Sequence, residues 1–153
     1  MVLSFLMLTC QLARAENATA PSGTLSIVWT KQMQSIVVAE AQAQLVAGDA
    51  ARKAMGEGRG RARVEEPLEK AAKRWRDLPV SDLMKSQLSG CSEFASNTLG
   101  IAQEARRGRG DGLLAEKRRK FATEDRAACI DALKNPGAAF RAALELYPHV
   151  IVE

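Results

Sequence analysis

Met84, Leu88, Cys91, Ala95, Thr98, Ala102 and Ala105 recur at alternating steps of four and three. That is the repeat of one face of an α-helix. Phe94 and Ile101 widen the face on one flank. So regular an apolar face must be covered, and in a chain like this its partners are other helices. A second helical stretch carries Cys129 beside Ala128, Ala132 and Leu133. A bond between the two cysteines would tie these two helices together.

The rest of the chain agrees with a helical fold. Aromatic residues make up only 5 % of it, and β-branched residues cluster only at Ile27–Val28, Ile36–Val38 and Val150–Val152. That balance favours helices over sheet. A first helix is expected from about Leu25 to Met55, where Trp29, Met33, Ile36, Val37, Glu40, Gln44, Ala47 and Ala51 recur at helical spacing, with a wet interruption at Glu40 and Gln44. Its start, residues 25–29, reads equally well as extended chain, and Gly48 is a point where it would split. Residues 56–64, with Gly56, Gly58 and Gly60 alternating with charge, read as a mobile linker. A short helix follows, with Pro67 in its first turn and Leu68, Ala71, Ala72, Trp75 and Leu78 on one face. Ser81 is placed to cap the long striped helix, and Gly108 to end it. Past the Gly108–Gly112 turn, one helix over 113–122 is expected to point Leu114 and Phe121 inward. Thr123 would cap another over 124–133, and Asn135–Pro136 would open the last, to Leu146. Val150–Val152 reads as an apolar tail docked in extended form. The expected fold is all-α: a compact bundle of five or six helices with one disulfide, following an N-terminal signal peptide.

The leader rests on residues 1–15. Val2–Leu12 is an apolar run, and Ala13-Arg14-Ala15 places small residues at the −3 and −1 positions of a cleavage site. No Lys or Arg precedes the run, which fits either a start codon placed too late, so that a basic n-region is missing, or a plain apolar N-terminal helix instead of a signal. The run is too short to span a bilayer, which takes about 20 apolar residues. Cleavage after Ala15 leaves residues 16–24 as a flexible mature N-terminus and residues 25–153 as a single helical domain. It also removes Cys10, leaving Cys91 and Cys129. An even pair in an oxidising compartment reads as a disulfide. Closing the loop of about 38 residues between them is worth roughly 3–4 kcal/mol.

No catalytic constellation is recognisable. His149 is the single histidine and lies in the tail after Pro148. A nucleophilic site needs a held imidazole, and zinc needs four close ligands. No cofactor or metal set is present in the sequence pattern. The carboxylate groups Glu65–Glu66–Glu69 and Glu124–Asp125 fall at expected helix starts, where acids favour the helix dipole. Two of them straddling a sugar would make a hydrolase instead. Arg109-Gly110-Asp111 is explained by its turn.

Two basic stretches stand out, Arg59, Arg61 and Arg63 in the linker and a longer one of Arg106, Arg107, Arg109, Lys117, Arg118, Arg119 and Lys120. The overall excess is a mild +4. The longer stretch reads either as a solvated face or as a basic docking surface for another protein or an anionic cell-envelope component. Nucleic acid is disfavoured, since no aromatic residues or binding motif accompany the charge.

The segment Cys129-Ile-Asp-Ala-Leu-Lys-Asn135 resembles the C-terminal cysteine helix of small periplasmic amidase-immunity proteins of type VI secretion systems. The resemblance covers seven residues. It implies a helical, disulfide-bonded protein that plugs a toxin's active site, with an upstream helical cysteine, here Cys91, as bond partner. The expected function is an exported, non-enzymatic binding protein of the periplasm or cell exterior, with inhibition or immunity toward a secreted toxin as one form. The alternatives are an exported cell-wall hydrolase using Glu65, Glu66 or Glu124, and a cytosolic basic adaptor if residues 1–15 are no signal.

Overall fold

A computed structural model describes residues 27–152, so the signal peptide expected over 1–15 and the flexible stretch expected over 16–24 lie outside the described residues. Strand β1 (Ile27–Trp29) leads into helices α1 (Lys31–Gly56), α2 (Arg61–Arg76), α3 (Asp82–Ser86), α4 (Ser89–Arg106), α5 (Leu113–Lys134) and α6 (Pro136–Leu146), and strand β2 (Val150–Val152) closes the series. Among the described residues the fold is a bundle of six helices with one disulfide. Helix α4 is central: α1, α2 and α5 all pack on it, and α1 also covers α2.

The first helix starts later than its apolar spacing suggests. Trp29 belongs to β1, and Thr30 caps α1, its Oγ1 accepting from the Met33 N–H at 3.1 Å. The extended reading of residues 25–29 is the one that forms over Ile27–Trp29. β1 pairs in parallel with β2, Val28 opposite Ile151, so the docked tail finds its partner at the other end of the domain. Parallel strands need a long crossover, and here the whole helical bundle supplies it. Trp29 is buried, packs edge-on against Phe140 with centroids 5.9 Å apart, and donates its indole N–H to Ser81 Oγ at 3.3 Å.

Helix α1 runs unbroken through Gly48. The missing side chain makes room for the Phe94 ring of α4: a Cβ there would fall 2.8 Å from Phe94 Cδ1. The wet interruption is also not what forms. Gln44 is fully buried, and its amide donates to Ala71 O at 2.7 Å on α2 and to Glu40 Oε1 at 2.9 Å. The linker is confined to Glu57–Gly60. Arg61, Arg63 and a buried Val64 are already helical, and Pro67 lies inside α2 rather than in its first turn. Both α1 and α4 end in the same way. Gly58 (φ +68°) and Gly108 (φ +71°) take the left-handed conformation, and the next residue donates back into the last turn, Arg59 N–H to Ala54 O and Arg109 N–H to Glu104 O, each at 2.9 Å. This is the Schellman closure that glycine permits without a Cβ penalty.

Ser81 caps a helix as expected, accepting from Met84 N–H at 3.3 Å, but that helix is the short α3. The chain breaks at Gln87–Leu88 before α4 begins. The two helices expected after Gly112 are one, α5. Thr123 does not cap: its hydroxyl donates to Arg119 O at 3.0 Å, one turn back, and no Gly or Pro interrupts the helix. Asn135 does cap α6, accepting from Ala138 N–H at 3.2 Å. Among the described residues the core falls into two clusters. One gathers Trp29, Val37, Met84, Leu88, Phe140 and both bonded cysteines; the other joins Ala51, Val64, Leu68, Ala95 and Ala102. Among the described residues, no helix is long and apolar enough to cross a membrane.

Candidate functional site

The most firmly built surface element is the α4–α5 hairpin. Cys91 and Cys129 are bonded, with Cα atoms 4.6 Å apart, and both are buried. Gly90 lets the helices come that close. A Cβ on it would lie 3.3 Å from Asp125 O and from the Cys129 nitrogen, so the backbone of α5 lies directly over it. Further along, Asn97 Nδ2 donates to Asp125 Oδ2 at 2.8 Å. Gly100 then seats the Arg118 side chain, which reaches Asn97 Oδ1 at 3.4 Å. Arg126 adds a two-pronged pair with Asp49 of α1, at 2.7 and 3.0 Å; that hydrogen bond holds the Arg126 guanidinium above its ordinary range.

The inward face of α5 is Ala115, Ala122 and Cys129, one small residue every seven. Leu114 and Phe121, expected inward, stand one position away and are 50 % and 49 % exposed, while Leu113 is 67 % exposed. Small residues win the interface because α4 approaches too closely for large ones. The displaced side chains form an outward stripe. Leu114, Lys117 and Phe121 follow one another at helical spacing, with Leu113 and Lys120 beside them. The heptad of small residues was the available signal for this arrangement.

The basic stretch does not build one free cationic face. Arg106 Nε lies 2.9 Å from Glu65 Oε1 on α2. Arg107 and Arg109 both grip the buried Glu104 carboxylate, at 3.1 and 2.9 Å. Arg119 donates to Gly110 O, and Arg118 lies against Gly100. Lys120 stands 4.0 Å from Glu124. The cations are thus divided between a clasp around the α4–α5 turn and the outer face of α5. Glu104 is a residue the sequence reading missed, and it also accepts the backbone N–H of Arg109. Glu104→Ala is expected to destabilise the domain by about 1–3 kcal/mol through lost charge-assisted hydrogen bonds, with Glu104→Gln milder. Urea unfolding followed by circular dichroism checks this, and equal midpoints for both variants and the parent would refute it.

The carboxylates named for hydrolysis do not share a site. Glu65 and Glu66 line different clefts, and Glu124 sits in the middle of α5. Neither group marks a helix start. Among the described residues no three His, Cys, Asp or Glu side chains gather to hold a metal, and His149 is exposed beside Tyr147. Comparison with known protein families, curated proteins and solved structures finds no match to this chain.

Proposed function

We propose that this chain is an exported, non-enzymatic binding protein of the periplasm or cell exterior, and that it grips its partner with the outer face of α5. Inhibition of, or immunity toward, a secreted toxin is the form that the resemblance at Cys129–Asn135 suggests. The observation that carries the reading is the stripe of Leu113, Leu114 and Phe121 with Lys117 and Lys120, exposed on a helix clamped by the buried Cys91–Cys129 bond. Large apolar side chains held out on a rigid helix are what a partner surface offers. A pre-ordered helix also loses little entropy on binding. The flanking lysines favour an acidic partner. The disulfide supports an oxidising compartment.

The test uses the protein recovered from its own host. Its intact mass, measured without reductant, is expected to begin at Glu16 and to lack two hydrogens relative to the reduced form. A partner that co-purifies with it is expected to be lost on Leu114→Asp together with Phe121→Asp, with at least a hundredfold fall in affinity, while the melting temperature holds. A chain retaining residues 1–15 with free thiols would remove the export reading. Undiminished partner capture by the double variant would remove the α5 surface.

A further inference from the structure

A cleft of about 330 Å³ opens beneath the α1–α2 turn, far along α4 from the disulfide. Its apolar lining is Met55 from α1, Val64 from α2, and Ala102 and Ala105 from α4. Arg59, Arg61 and Arg106 also line it, against a single carboxylate in the lining, Glu65. The lining thus carries a positive excess, balanced only by carboxylates outside it that an anion would have to displace. The start of α2 also favours an anion: its N-cap, Gly60, lines the cleft and offers no side chain to the first-turn N–H groups. Such a terminus attracts negative charge.

A second, independent feature points to a ligand. Glu65 is 3 % exposed. Its Oε1 takes the Arg106 pair at 2.9 Å, but its Oε2 has no hydrogen-bond partner among the described residues and lies 4.0 Å from Arg61 Nε. A buried carboxylate oxygen without a donor is costly and calls for an explanation. An N–H or O–H on a bound molecule supplies one. The other contacts of the arginines, Arg59 with Glu57 at 3.3 Å and Arg61 with Glu69 at 3.5 Å, are solvent-facing pairs that exchange partners at little expense.

The cleft thus asks for three things within a short reach: an anion, an adjacent hydrogen-bond donor, and a compact apolar body. We infer that it binds the free carboxylate end of an apolar peptide or N-acylated amino acid. The carboxylate would meet Arg59, Arg61 and the start of α2. The amide N–H would donate to Glu65 Oε2, and the side chain would lie on Met55, Val64, Ala102 and Ala105. Backbone capture of a chain terminus is a recurring recognition mode.

Titration calorimetry with three probes separates these demands. N-acetyl-L-leucine carries all three groups, N-acetyl-leucinamide lacks the carboxylate, and 4-methylpentanoate lacks the donor. N-acetyl-L-leucine is expected to bind at least tenfold more tightly than either. Arg59→Ala is expected to weaken it about tenfold, and Ala105→Leu, which fills the cleft from an exposed helix position, to abolish it. Both variants are expected to melt with the parent, which separates loss of the site from loss of the fold. Equal affinity for the three probes, no binding of N-acetyl-L-leucine, or unchanged binding by Ala105→Leu would overturn the assignment.

Discussion

Replacing both Cys91 and Cys129 by alanine is expected to lower the unfolding free energy by about 3–4 kcal/mol, the loop-closure entropy for cysteines 38 positions apart. For a domain of this size, that corresponds to a fall of roughly 10 °C in melting temperature. The loss should be nearly complete, because the bond crosses the most extensive helix pair in the bundle and both sulfurs sit in the larger core cluster. Little strain is available to offset it, since Gly90 already brings the backbones within contact. Reductant should therefore lower the melt of the parent protein and leave the double-alanine variant unmoved. Coincident melts of the oxidised and reduced parent would show that α4 and α5 are held by packing alone. The α5 surface proposed for binding would then owe nothing to the bond. The outward stripe depends on where α5 sits against α4, so a loosened hairpin should weaken partner binding before the domain unfolds.

How far the residues announced this arrangement differs from place to place. The stripe from Met84 to Ala102 was legible because its spacing is strict: Met84, Leu88, Cys91, Ala95, Thr98 and Ala102 are all buried, although the helix breaks after Met84's own turn and Ala105, the last expected member, is exposed. The glycine ends at Gly108 and the caps at Ser81 and Asn135 were legible because their chemistry is local. The failures are non-local or turn on competition. Gln44 reads as a solvated position because nothing near it in the chain shows the Ala71 carbonyl waiting on another helix. Thr123 is as suited to capping as to bonding one turn back, and the unbroken helix around it decides. Leu114 and Phe121 outweigh Ala115 and Ala122 in any hydrophobic reading, yet a close helix pair selects the small residues. The cleft was hidden for a related reason. Glu65 passes for a first-turn acid only while α2 is thought to begin near Pro67. With the start at Arg61, it lies past the first turn, on the face of α2 that is buried.

The contact between Gly48 and Phe94 is the second large effect, and it is best measured as a cycle. Phe94 is fully buried, so Phe94→Ala is expected to destabilise by about 3–5 kcal/mol. Gly48→Ala alone sets two effects against each other. Alanine is favoured over glycine in a helix by about 1 kcal/mol, but its Cβ would fall 2.8 Å from Phe94 Cδ1 and 3.0 Å from Cζ, in a core with no slack. Overpacking of this kind costs roughly 1–3 kcal/mol, so a net loss is expected. In the Phe94→Ala background the clash vanishes, and the new methyl enters space the ring has left. There Gly48→Ala should become stabilising. The double variant should then be more stable than the sum of the singles by about 1–3 kcal/mol, as expected for residues in direct contact. Chemical denaturation of the four proteins gives the coupling directly. Strict additivity would mean that the ring does not rest on Gly48. The unbroken course of α1 past that glycine would then need a cause other than the aromatic side chain facing it.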